Sequence, residues 1–572
     1  MLKHSQPFYL LLMGFLACRQ EKVSNPEEEA GPQYASEFTA VMMDPEAQPS
    51  FQLAVQACVG LYNRRLGGSV YLQRDAHDDE WLSELGLSPA SSLSASDFLN
   101  NCLSDFSECL HYDYSTQQEI LPSILTVASA REAVPLDVAL DISCPEVTFN
   151  AIEAFADINT PALASQHSFE LVGDQTTGLA MLNPGYDIHA EDLSNPELIH
   201  DMSEAMVDFV FSERLFATFL NNGCIDNHPE KEVLDEIVNA GHWPSPIGVY
   251  GYNDSWLVGG YIYEAQTRCL DSRNMGAIPT KTNNLSFFST RRPAIEDVGV
   301  LQPNDAESIV YDASQSYVAF IVGDGDNIHF IMTTRNTWLR QRLAGCEASE
   351  ADCKPLTWSI SPHLTQIAPD VLEWYYALSR QTGQDYFTLP PSGYLYAYPA
   401  SLNASDQDRF VTLTEQSAEL FGLHTTVHWE WFDTWDAAQE EFLPKYATEN
   451  GPIQAVIPVN VPYSLDAFPG WPDDKFYEVL SGSGGELVLF RPRQWRGIDD
   501  RDDLFFLNPQ RMADEISSYP AGTVTAIYMT SDGGLNLENS FFELVGLLPP
   551  HVTLVSADTA ARLALEANRS AD

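Results

Sequence analysis

Basic side chains are scarce in this sequence. Lys and Arg together number 29 among 572 residues, against 81 Asp and Glu, and the formal net charge is −52. Proteins that bind nucleic acid or dock electrostatically on anionic lipid need clusters of basic residues, and the sequence contains no such cluster. The charge therefore argues against both partners and suits a surface whose carboxylates are screened by salt.

Long apolar runs are also missing beyond the N-terminus, so no transmembrane helix is predicted. Residues 1–4 form a short basic region, and the apolar stretch at 8–17 is too short to span a bilayer. The stretch ends in Leu-Ala-Cys at Cys18, as in a bacterial lipoprotein signal. We expect an exported chain, periplasmic or at the bacterial cell surface, with residues 1–18 as the signal, Cys18 lipidated and 19–36 as an acidic tether. An ordinary cleaved signal peptide is the alternative.

The cysteine pattern lacks C-x-x-C, which argues against a structural zinc site. Eight cysteines follow Cys18, all before residue 354, and an even number in an exported chain predicts disulfides. The easiest local pairs are those seven residues apart, Cys102 with Cys109 and Cys346 with Cys353.

From about residue 317 onward, short β-branched or aromatic runs alternate with segments of helical periodicity. The predicted strands are 317–322, 356–360, 385–389, 424–429, 453–459, 486–490, 524–529 and 552–555, and the predicted helices between them include 368–380, 405–421, 436–448, 509–518 and 537–547. Eight such units in about 250 residues predict a (β/α)8-type barrel over 301–572, with an open doubly wound sheet as the alternative. Residues 37–300 are predicted to form a separate N-terminal α/β domain.

Polar residues follow nearly every predicted strand. In a barrel these positions meet at the C-terminal face, where active sites lie. In strand order they are Asp324, Asp326 and Asn327; His363; Ser392, Gly393, Tyr394, Tyr396 and Tyr398; Glu430 and Trp431; Asn460; Arg491; Asp532; and Asp558. We expect them to converge on one site.

The segment P-S-G-Y-L-Y-A-Y-P at 391–399 is similar to the signature of the GxGYxYP putative glycoside hydrolase family. Further blocks that resemble this family lie at 56–64, 70–72, 81–82, 248–252, 284–286, 324–327 and 358–362. Two positions depart from its pattern: Leu395 replaces the second Gly of the signature, and Gly323 replaces the usual Ser. The resemblance implies an N-terminal α/β domain, a C-terminal catalytic-type domain and hydrolysis of glycosidic bonds.

Glycoside hydrolysis commonly needs two carboxyl groups that flank the scissile bond. Asp324 and Asp326, with Gly between them, can point into one site from a tight turn. Glu430 and Asp532 follow the fourth and seventh strands, where barrel glycosidases often carry their acid/base and nucleophile, which is an analogy of fold. The alternatives are solvated loop carboxylates and, for the first turn, a helix cap at Asn327.

The predicted substrate-binding residues surround these carboxylates. Tyr394, Tyr396 and Tyr398 alternate, so one face of an extended loop would present three rings to a sugar; packing over the rim is the alternative. His363 is a candidate proton carrier, hydroxyl ligand or metal ligand, or an ordinary buried histidine. The predicted set is completed by Asn327, Ser392, Gly393, Trp431, Asn460 and Arg491, with Asp254 as a residue that could reach the cleft.

Other chemistries have weaker support, since the sequence lacks a P-loop, a G-x-S-x-G elbow and H-E-x-x-H. One alternative is a metal-dependent polysaccharide deacetylase with Asp324, Asp326 and His363 around Zn²⁺. Another is a non-catalytic glycan-binding lipoprotein. No cofactor is expected, apart from a divalent cation that Asp324 and Asp326 could hold. The acidic surface favours a neutral glycan over a strongly anionic one.

Overall fold

The computed structural model describes residues 34–571, except 75, 183–205, 221, 252–261, 281, 297–307, 352, 461–474, 499–504 and 531–539. The strands are β1 (Thr39–Met42), β2 (Val70–Gln73), β3 (Ser91–Ser94), β4 (Glu108–Tyr112), β5 (Val134–Asp137), β6 (Glu146–Asn150), β7 (Leu179–Met181), β8 (Phe216–Thr218), β9 (Ile247–Tyr250), β10 (Met275–Ile278), β11 (Ser316–Val322), β12 (Leu356–Ser359), β13 (Asp385–Thr388), β14 (Thr425–Glu430), β15 (Ala455–Asn460), β16 (Tyr477–Ser481), β17 (Glu486–Phe490), β18 (Gln494–Trp495), β19 (Val524–Met529) and β20 (Val552–Leu554).

The α-helices lie between these strands. They are α1 (Pro49–Leu66), α2 (Ala76–Glu84), α3 (Ala95–Asp105), α4 (Tyr114–Gln117), α5 (Leu121–Ala130), α6 (Ala151–Ala154), α7 (Pro161–Val172), α8 (Val207–Glu213), α9 (Pro229–Ala240), α10 (Ile262–Asp271), α11 (Leu285–Thr290), α12 (Ile328–Phe330), α13 (Asn336–Ala348), α14 (Leu364–Ile367), α15 (Pro369–Thr382), α16 (Ala404–Phe421), α17 (Trp435–Ala437), α18 (Pro509–Ser517), α19 (Phe542–Leu547) and α20 (Ala557–Ala571).

Before residue 300, the described strands form three small parallel sheets. Their strand orders are β2-β1-β3, β5-β4-β6 and β10-β9-β7-β8. Residues from both sides of residue 300 contribute to one apolar cluster. The N-terminal half is thus α/β in character, and the boundary between 37–300 and 301–572 stays a prediction.

The eight strands predicted after residue 316 are all present, but an eight-stranded barrel is not confirmed. The described strands form two sheets, β13-β12-β11-β19-β18 with β20 beside β11, and β14-β15-β17-β16. One bridge between Leu389 and Thr426 joins them. The chain departs from the predicted order because β19 pairs with β11 along nearly its whole length. On the other edge of β11, β20 pairs with the first three residues and β12 with the last two. The unpredicted β16 runs antiparallel to β17. The architecture is mixed α/β with parallel sheets.

Strand β11 shows why these sheets are buried on both faces. Its side chains alternate between two apolar clusters, with Phe320 and Val322 in one and Ala319 and Ile321 in the other. The second cluster also contains residues from β14, β15, β17 and β19. A continuous apolar strand sequence is typical of a parallel sheet covered on both sides. The two sheets therefore face a common core.

Local signals place the ends of the major helices near their predicted positions. The side chain of Asn403 accepts a hydrogen bond from the Asp406 N–H at the start of α16, and Gly422 ends that helix with φ of 65°. Pro369 begins α15, and Gly383 ends it with φ of 65°. The predicted helix 436–448 is instead a series of short helical turns from α17 to Tyr446.

All eight cysteines after Cys18 pair, in the bonds Cys58–Cys102, Cys109–Cys144, Cys224–Cys269 and Cys346–Cys353. The predicted Cys346–Cys353 pair is confirmed. The predicted Cys102–Cys109 pair is wrong, because Cys102 on α3 meets Cys58 of the neighbouring α1 while Cys109 on β4 meets Cys144. Four disulfides are consistent with an exported chain. Within the described part of the chain, no helix is long and apolar enough to cross a membrane.

A buried polar network joins three of the family-like blocks, 56–64, 70–72 and 284–286. The side-chain amide of Asn63 on α1 donates to the Val70 carbonyl and to the Ser286 hydroxyl, at 2.9 Å each. The Ser286 hydroxyl in turn donates to Asp208 at 2.7 Å. The side-chain amide of Asn284 makes two hydrogen bonds to the backbone of Leu72, which lies on β2 with Val70. Its nitrogen donates to the Leu72 carbonyl, and its oxygen accepts from the Leu72 N–H. These blocks hold β2 against the helices and are structural.

Candidate functional site

The turn after β11 carries Asp324 and Asp326 and is pinned from two neighbouring strands. Asp324 has a left-handed backbone, with φ of 58°, and its N–H donates to the Tyr528 hydroxyl of β19 at 2.9 Å. The Gly325 N–H donates to the Ser359 hydroxyl of β12 at 3.0 Å. A Cβ on Gly325 would lie 2.0 Å from the Ser359 carbonyl oxygen, so only glycine lets the turn approach β12 this closely.

Asn327 follows these aspartates and caps α12. Its side-chain oxygen accepts a hydrogen bond from the Phe330 N–H at 3.1 Å. The structure thus gives Asn327 the capping role that the sequence left open as an alternative. Its role in substrate binding stays a prediction.

The pKa of Asp326, the second aspartate of this turn, is shifted by its surroundings. Both aspartates are half-buried. Burial and the neighbouring charge of Asp324 raise the pKa of Asp326 from 3.8 to about 8, against the smaller opposing effect of Arg335. Asp326 therefore carries its proton at neutral pH. A carboxyl group that holds its proton near neutral pH is suited to general acid catalysis.

His363 holds the loop that follows β13. Its Nε2–H donates to the Tyr394 carbonyl at 2.7 Å, and the two rings lie 4.9 Å apart. Burial lowers the pKa of His363 to about 4, so the ring is neutral. Because Nε2 is used in this bond, His363 does not offer it to a metal. In the described ranges, no group of three or more His, Cys, Asp or Glu side chains could hold a metal ion.

The loop 391–399 joins the C-terminal sheets to the N-terminal half. Tyr396 exchanges two backbone hydrogen bonds with Ala277 of β10, at 2.9 and 3.0 Å. The Tyr398 N–H donates to Asp271 of α10 at 2.9 Å. The expectation of three rings on one open face is therefore corrected: Tyr396 and Tyr398 are buried at 8% and 0% exposure, and only Tyr394 is partly exposed.

Ser392 and Gly393 shape the start of this loop. The Ser392 hydroxyl donates to the Ala397 carbonyl at 2.7 Å and accepts from the Trp429 N–H at 2.8 Å. Gly393 has φ of 101°, and a Cβ there would lie 2.6 Å from the Thr414 Cγ2. Both residues have structural contacts that explain them, and their binding role stays a prediction.

Glu430 ends β14 and is fully buried. One carboxylate oxygen accepts from the Ala400 N–H at 2.8 Å and lies 3.2 Å from His428 Nε2. The other accepts from the Thr434 hydroxyl at 2.6 Å. The sheet of Glu430 is not the sheet of Asp324, so β14 and β11 place these two candidates on different sheets.

A second buried carboxyl accompanies Glu430. Burial, with the charge of Glu430 as a smaller cause, raises the pKa of Asp271 well above its ordinary range. Asp271 is fully buried, and its Oδ1 has no hydrogen-bond partner in the described part of the chain. Sequence reasoning missed Asp271 because it lies on α10, more than 150 residues before Glu430, with no motif around it.

Most of these residues lie in a segment that matches a known protein family. Residues 314–468 match the GxGYxYP putative glycoside hydrolase C-terminal domain. The match includes the turn at 324–327, the signature at 391–399 and Glu430, and it confirms the resemblance over this part of the chain. No curated protein matches the chain.

Solved structures extend the comparison of folds. A crystal structure of a putative hydrolase from Bacteroides thetaiotaomicron aligns over 93% of this chain and 95% of its own, with a TM-score of 0.66 and 17% identity. At this identity the likeness shows a shared fold. Two further matches are too weak to support an argument. A 4-alpha-glucanotransferase from Thermococcus litoralis aligns over 43% of this chain and 40% of its own, with a TM-score of 0.29 and 13% identity. The peptidoglycan deacetylase PdaC from Bacillus subtilis aligns over 46% of this chain and 96% of its own, with a TM-score of 0.23 and 11% identity.

Both departures from the GxGYxYP pattern have a packing explanation. Leu395 is buried at 2% exposure, and a Cβ on Gly276 of β10 would lie 2.7 Å from the Leu395 Cβ. Glycine on the facing strand thus makes room for this leucine. A Cβ on Gly323 would lie 2.6 Å from the Tyr528 hydroxyl oxygen, so the hydroxyl occupies the space that a serine would need.

The remaining predicted residues are less informative. Trp431 is half-buried, 6.1 Å from the Tyr398 ring and 5.0 Å from the Arg268 guanidinium. The Arg491 N–H donates to the Phe476 carbonyl at 2.8 Å. Asn460 lies opposite Glu430 in the β14–β15 register. Residues Cys18, Asp254 and Asp532 and the side chain of Asn460 lie outside the described residues.

Proposed function

We propose that the protein is a glycoside hydrolase whose reacting carboxyl groups include Asp324 and Asp326. The observation that carries the proposal is the turn after β11, where two half-buried carboxyl groups lie two residues apart and the pKa of Asp326 is raised to about 8. This turn lies inside the segment that matches the glycoside hydrolase family. Asp532 stays a predicted member of the site.

In this proposal Asp326 acts as the general acid. Its raised pKa keeps a proton available near neutral pH for the oxygen of the leaving sugar. Asp324 would act as the carboxylate that activates water or stabilises the positively charged sugar in the transition state. Glu430 is not proposed as a reacting group, because it is fully buried and both of its oxygens accept hydrogen bonds from the protein.

The proposed substrate is a neutral oligo- or polysaccharide. A net charge of −52 repels strongly anionic chains. The partly exposed Trp431 and Tyr394 are the aromatic side chains on which a sugar ring could stack.

The test is a reducing-sugar screen with algal, plant and bacterial polysaccharides, with wild type beside Asp324→Asn. We expect release of reducing ends by wild type on a neutral glycan and near-complete loss in the variant. A chelator-sensitive release of acetate would instead support a metal-dependent deacetylase. Glycan binding without turnover, unchanged in Asp326→Asn, would support a binding protein and contradict the proposal.

We also propose that the chain is exported and anchored through a lipid on Cys18. The four disulfides agree with an oxidising compartment. Metabolic labelling with a palmitate analogue should mark wild type and leave Cys18→Ser unlabelled. Equal labelling of both proteins would contradict the lipid anchor.

A further inference from the structure

Arg335 is a buried arginine beside the Asp324–Asp326 turn that sequence reasoning did not single out. It is 1% exposed, and its guanidinium carbon lies 5.5 Å from the Trp358 ring centre. Its Nε and Nη1 have no hydrogen-bond partner among the residues that the structure describes. Trp358 directly precedes Ser359, whose hydroxyl accepts from the Gly325 N–H, so the guanidinium lies near the turn. The electrostatic partners of Arg335 include the carboxyl groups of Asp324 and Asp326.

A π-helical turn brings Arg335 to this position. The turn spans Ile331–Arg335, between α12 and α13. Such turns leave backbone carbonyls without their usual helical donors and are frequent at functional sites. Here the Ile331 carbonyl accepts from the Tyr375 hydroxyl, and the Met332 carbonyl accepts from the Trp81 indole N–H, both at 2.6 Å. Donors from α15 and α2 therefore stabilise the turn.

Arg342, seven residues along, shows what a structural buried arginine looks like. It is also fully buried and its Nη1 has no hydrogen-bond partner among the described residues, but its Nε lies 3.3 Å from an Asp385 carboxylate oxygen and its Nη2 donates to the Lys354 carbonyl. A buried charge without such hydrogen bonds is costly to fold. The cost at Arg335 is typical of groups retained for function.

We propose that Arg335 is a positioning residue that supplies the buried positive charge holding the Asp324 and Asp326 carboxyl groups in their reactive arrangement. It acts through these aspartates, because its burial keeps it from contact with a substrate. Its catalytic consequence rests on the proposed function, whereas its electrostatic coupling to the aspartates does not.

The first test is a double-mutant cycle on stability, which needs no substrate. Urea midpoints are measured for wild type, Arg335→Met, Asp324→Asn and the double variant. We expect the double variant to lose less than the sum of the single losses, because each single change leaves an uncompensated charge. The matched control pairs Arg342→Met with Asp324→Asn, and it should be additive. Additive losses in the Arg335 cycle would overturn the proposal.

The second test uses the glycan found in the screen. Arg335→Met should lower kcat by about 10²-fold with little change in KM, since misplaced catalytic groups cost about this much. Arg335→Lys should recover part of kcat because it keeps the charge. Unchanged kcat, or a rise in KM alone, would overturn the positioning role. If the screen finds no substrate, the proposed function fails. The double-mutant cycle on stability still tests the electrostatic coupling between Arg335 and Asp324.

A third variant covers the case in which Arg335→Met does not fold. Trp81→Phe keeps an aromatic ring on α2 but removes the N–H that donates to the Met332 carbonyl. We expect a folded protein in which the coupling between Asp324→Asn and Arg335→Lys is smaller than in the wild-type background. An unchanged coupling would contradict the role given to the π-helical turn.

Discussion

The ends of β11 and β14 each present carboxyl groups that the sequence offers as catalytic, and their surroundings differ. At β14, Glu430 is fully buried and accepts hydrogen bonds from Ala400 and Thr434. At β11, Asp326 is half-buried, keeps a proton at neutral pH and lies beside a buried arginine. The comparison teaches that a buried carboxylate whose two oxygens both accept hydrogen bonds from the surrounding protein is a structural element. One that is partly exposed and electrostatically perturbed is a candidate for chemistry.

The largest expected effect is on activity at the β11 turn. Asp326→Asn should reduce glycan hydrolysis by about 10²–10⁴-fold, the usual contribution of a general acid. The fold should persist, because the amide is similar in size to the protonated carboxyl group and, like it, carries no charge. Reducing-sugar assays per folded molecule, with circular dichroism as the fold control, measure this. Activity of Asp326→Asn within a few-fold of wild type would show that the catalytic acid is not at this turn.

The next effect is on stability at β14. Glu430→Gln should lower the free energy of unfolding by about 1–3 kcal/mol, because an amide group replaces one acceptor beside the Ala400 N–H or the Thr434 hydroxyl. Urea denaturation measures the loss. Thr434→Val is the matched control, since it removes one of the same bonds and should lower stability less. A stable but inactive Glu430→Gln would assign chemistry to Glu430 and break the comparison.

A pH dependence separates the two regions further. The folded chain holds the Asp326 proton more tightly than the unfolded chain, since its pKa is raised from 3.8 to about 8. Its contribution to stability is therefore greatest below pH 4 and declines as pH rises to about 8. Asp326→Asn has no carboxyl group to titrate at this position and so lacks this decline. The Tm of the variant minus the Tm of wild type should therefore increase between pH 4 and about pH 8. A constant difference in Tm would show that the proton is not held.

The smallest effect is expected at Asp271. Burial raises the pKa of Asp271 and so favours the neutral acid, which an asparagine amide resembles. Asp271→Asn keeps an oxygen for the Tyr398 N–H, and we expect a change in unfolding free energy below about 1 kcal/mol. Thermal unfolding at pH 7 measures it. A large loss would show that Asp271 is ionised and paired.

Local features of the fold follow from the sequence, and long-range ones do not. The β-branched run of β11 and the Pro and Gly at the ends of α15 act within a few residues, so their positions can be predicted. The pairing of β11 with β19 joins residues about 200 apart and depends on the whole core. For the same reason Cys346–Cys353 can be predicted from spacing, whereas Cys58–Cys102 cannot.

Some features of the candidate site can likewise be predicted from local sequence, and others depend on long-range packing. The Asp-Gly-Asp-Asn turn and the family signature are visible as motifs. The burial of Tyr396 and Tyr398 is not, because it comes from the docking of their loop on β10 and α10. The burial of Arg335 could not be predicted either, since an arginine in a helix normally keeps its charge in solvent and the sequence does not mark the π-helical turn at Ile331–Arg335.

The most direct test of this account compares turnover per folded molecule in Asp326→Asn and Glu430→Gln on one glycan. The account predicts that Asp326→Asn is folded and inactive, whereas the folded fraction of Glu430→Gln keeps activity within a few-fold of wild type. A folded Glu430→Gln without activity, beside an active Asp326→Asn, would contradict it.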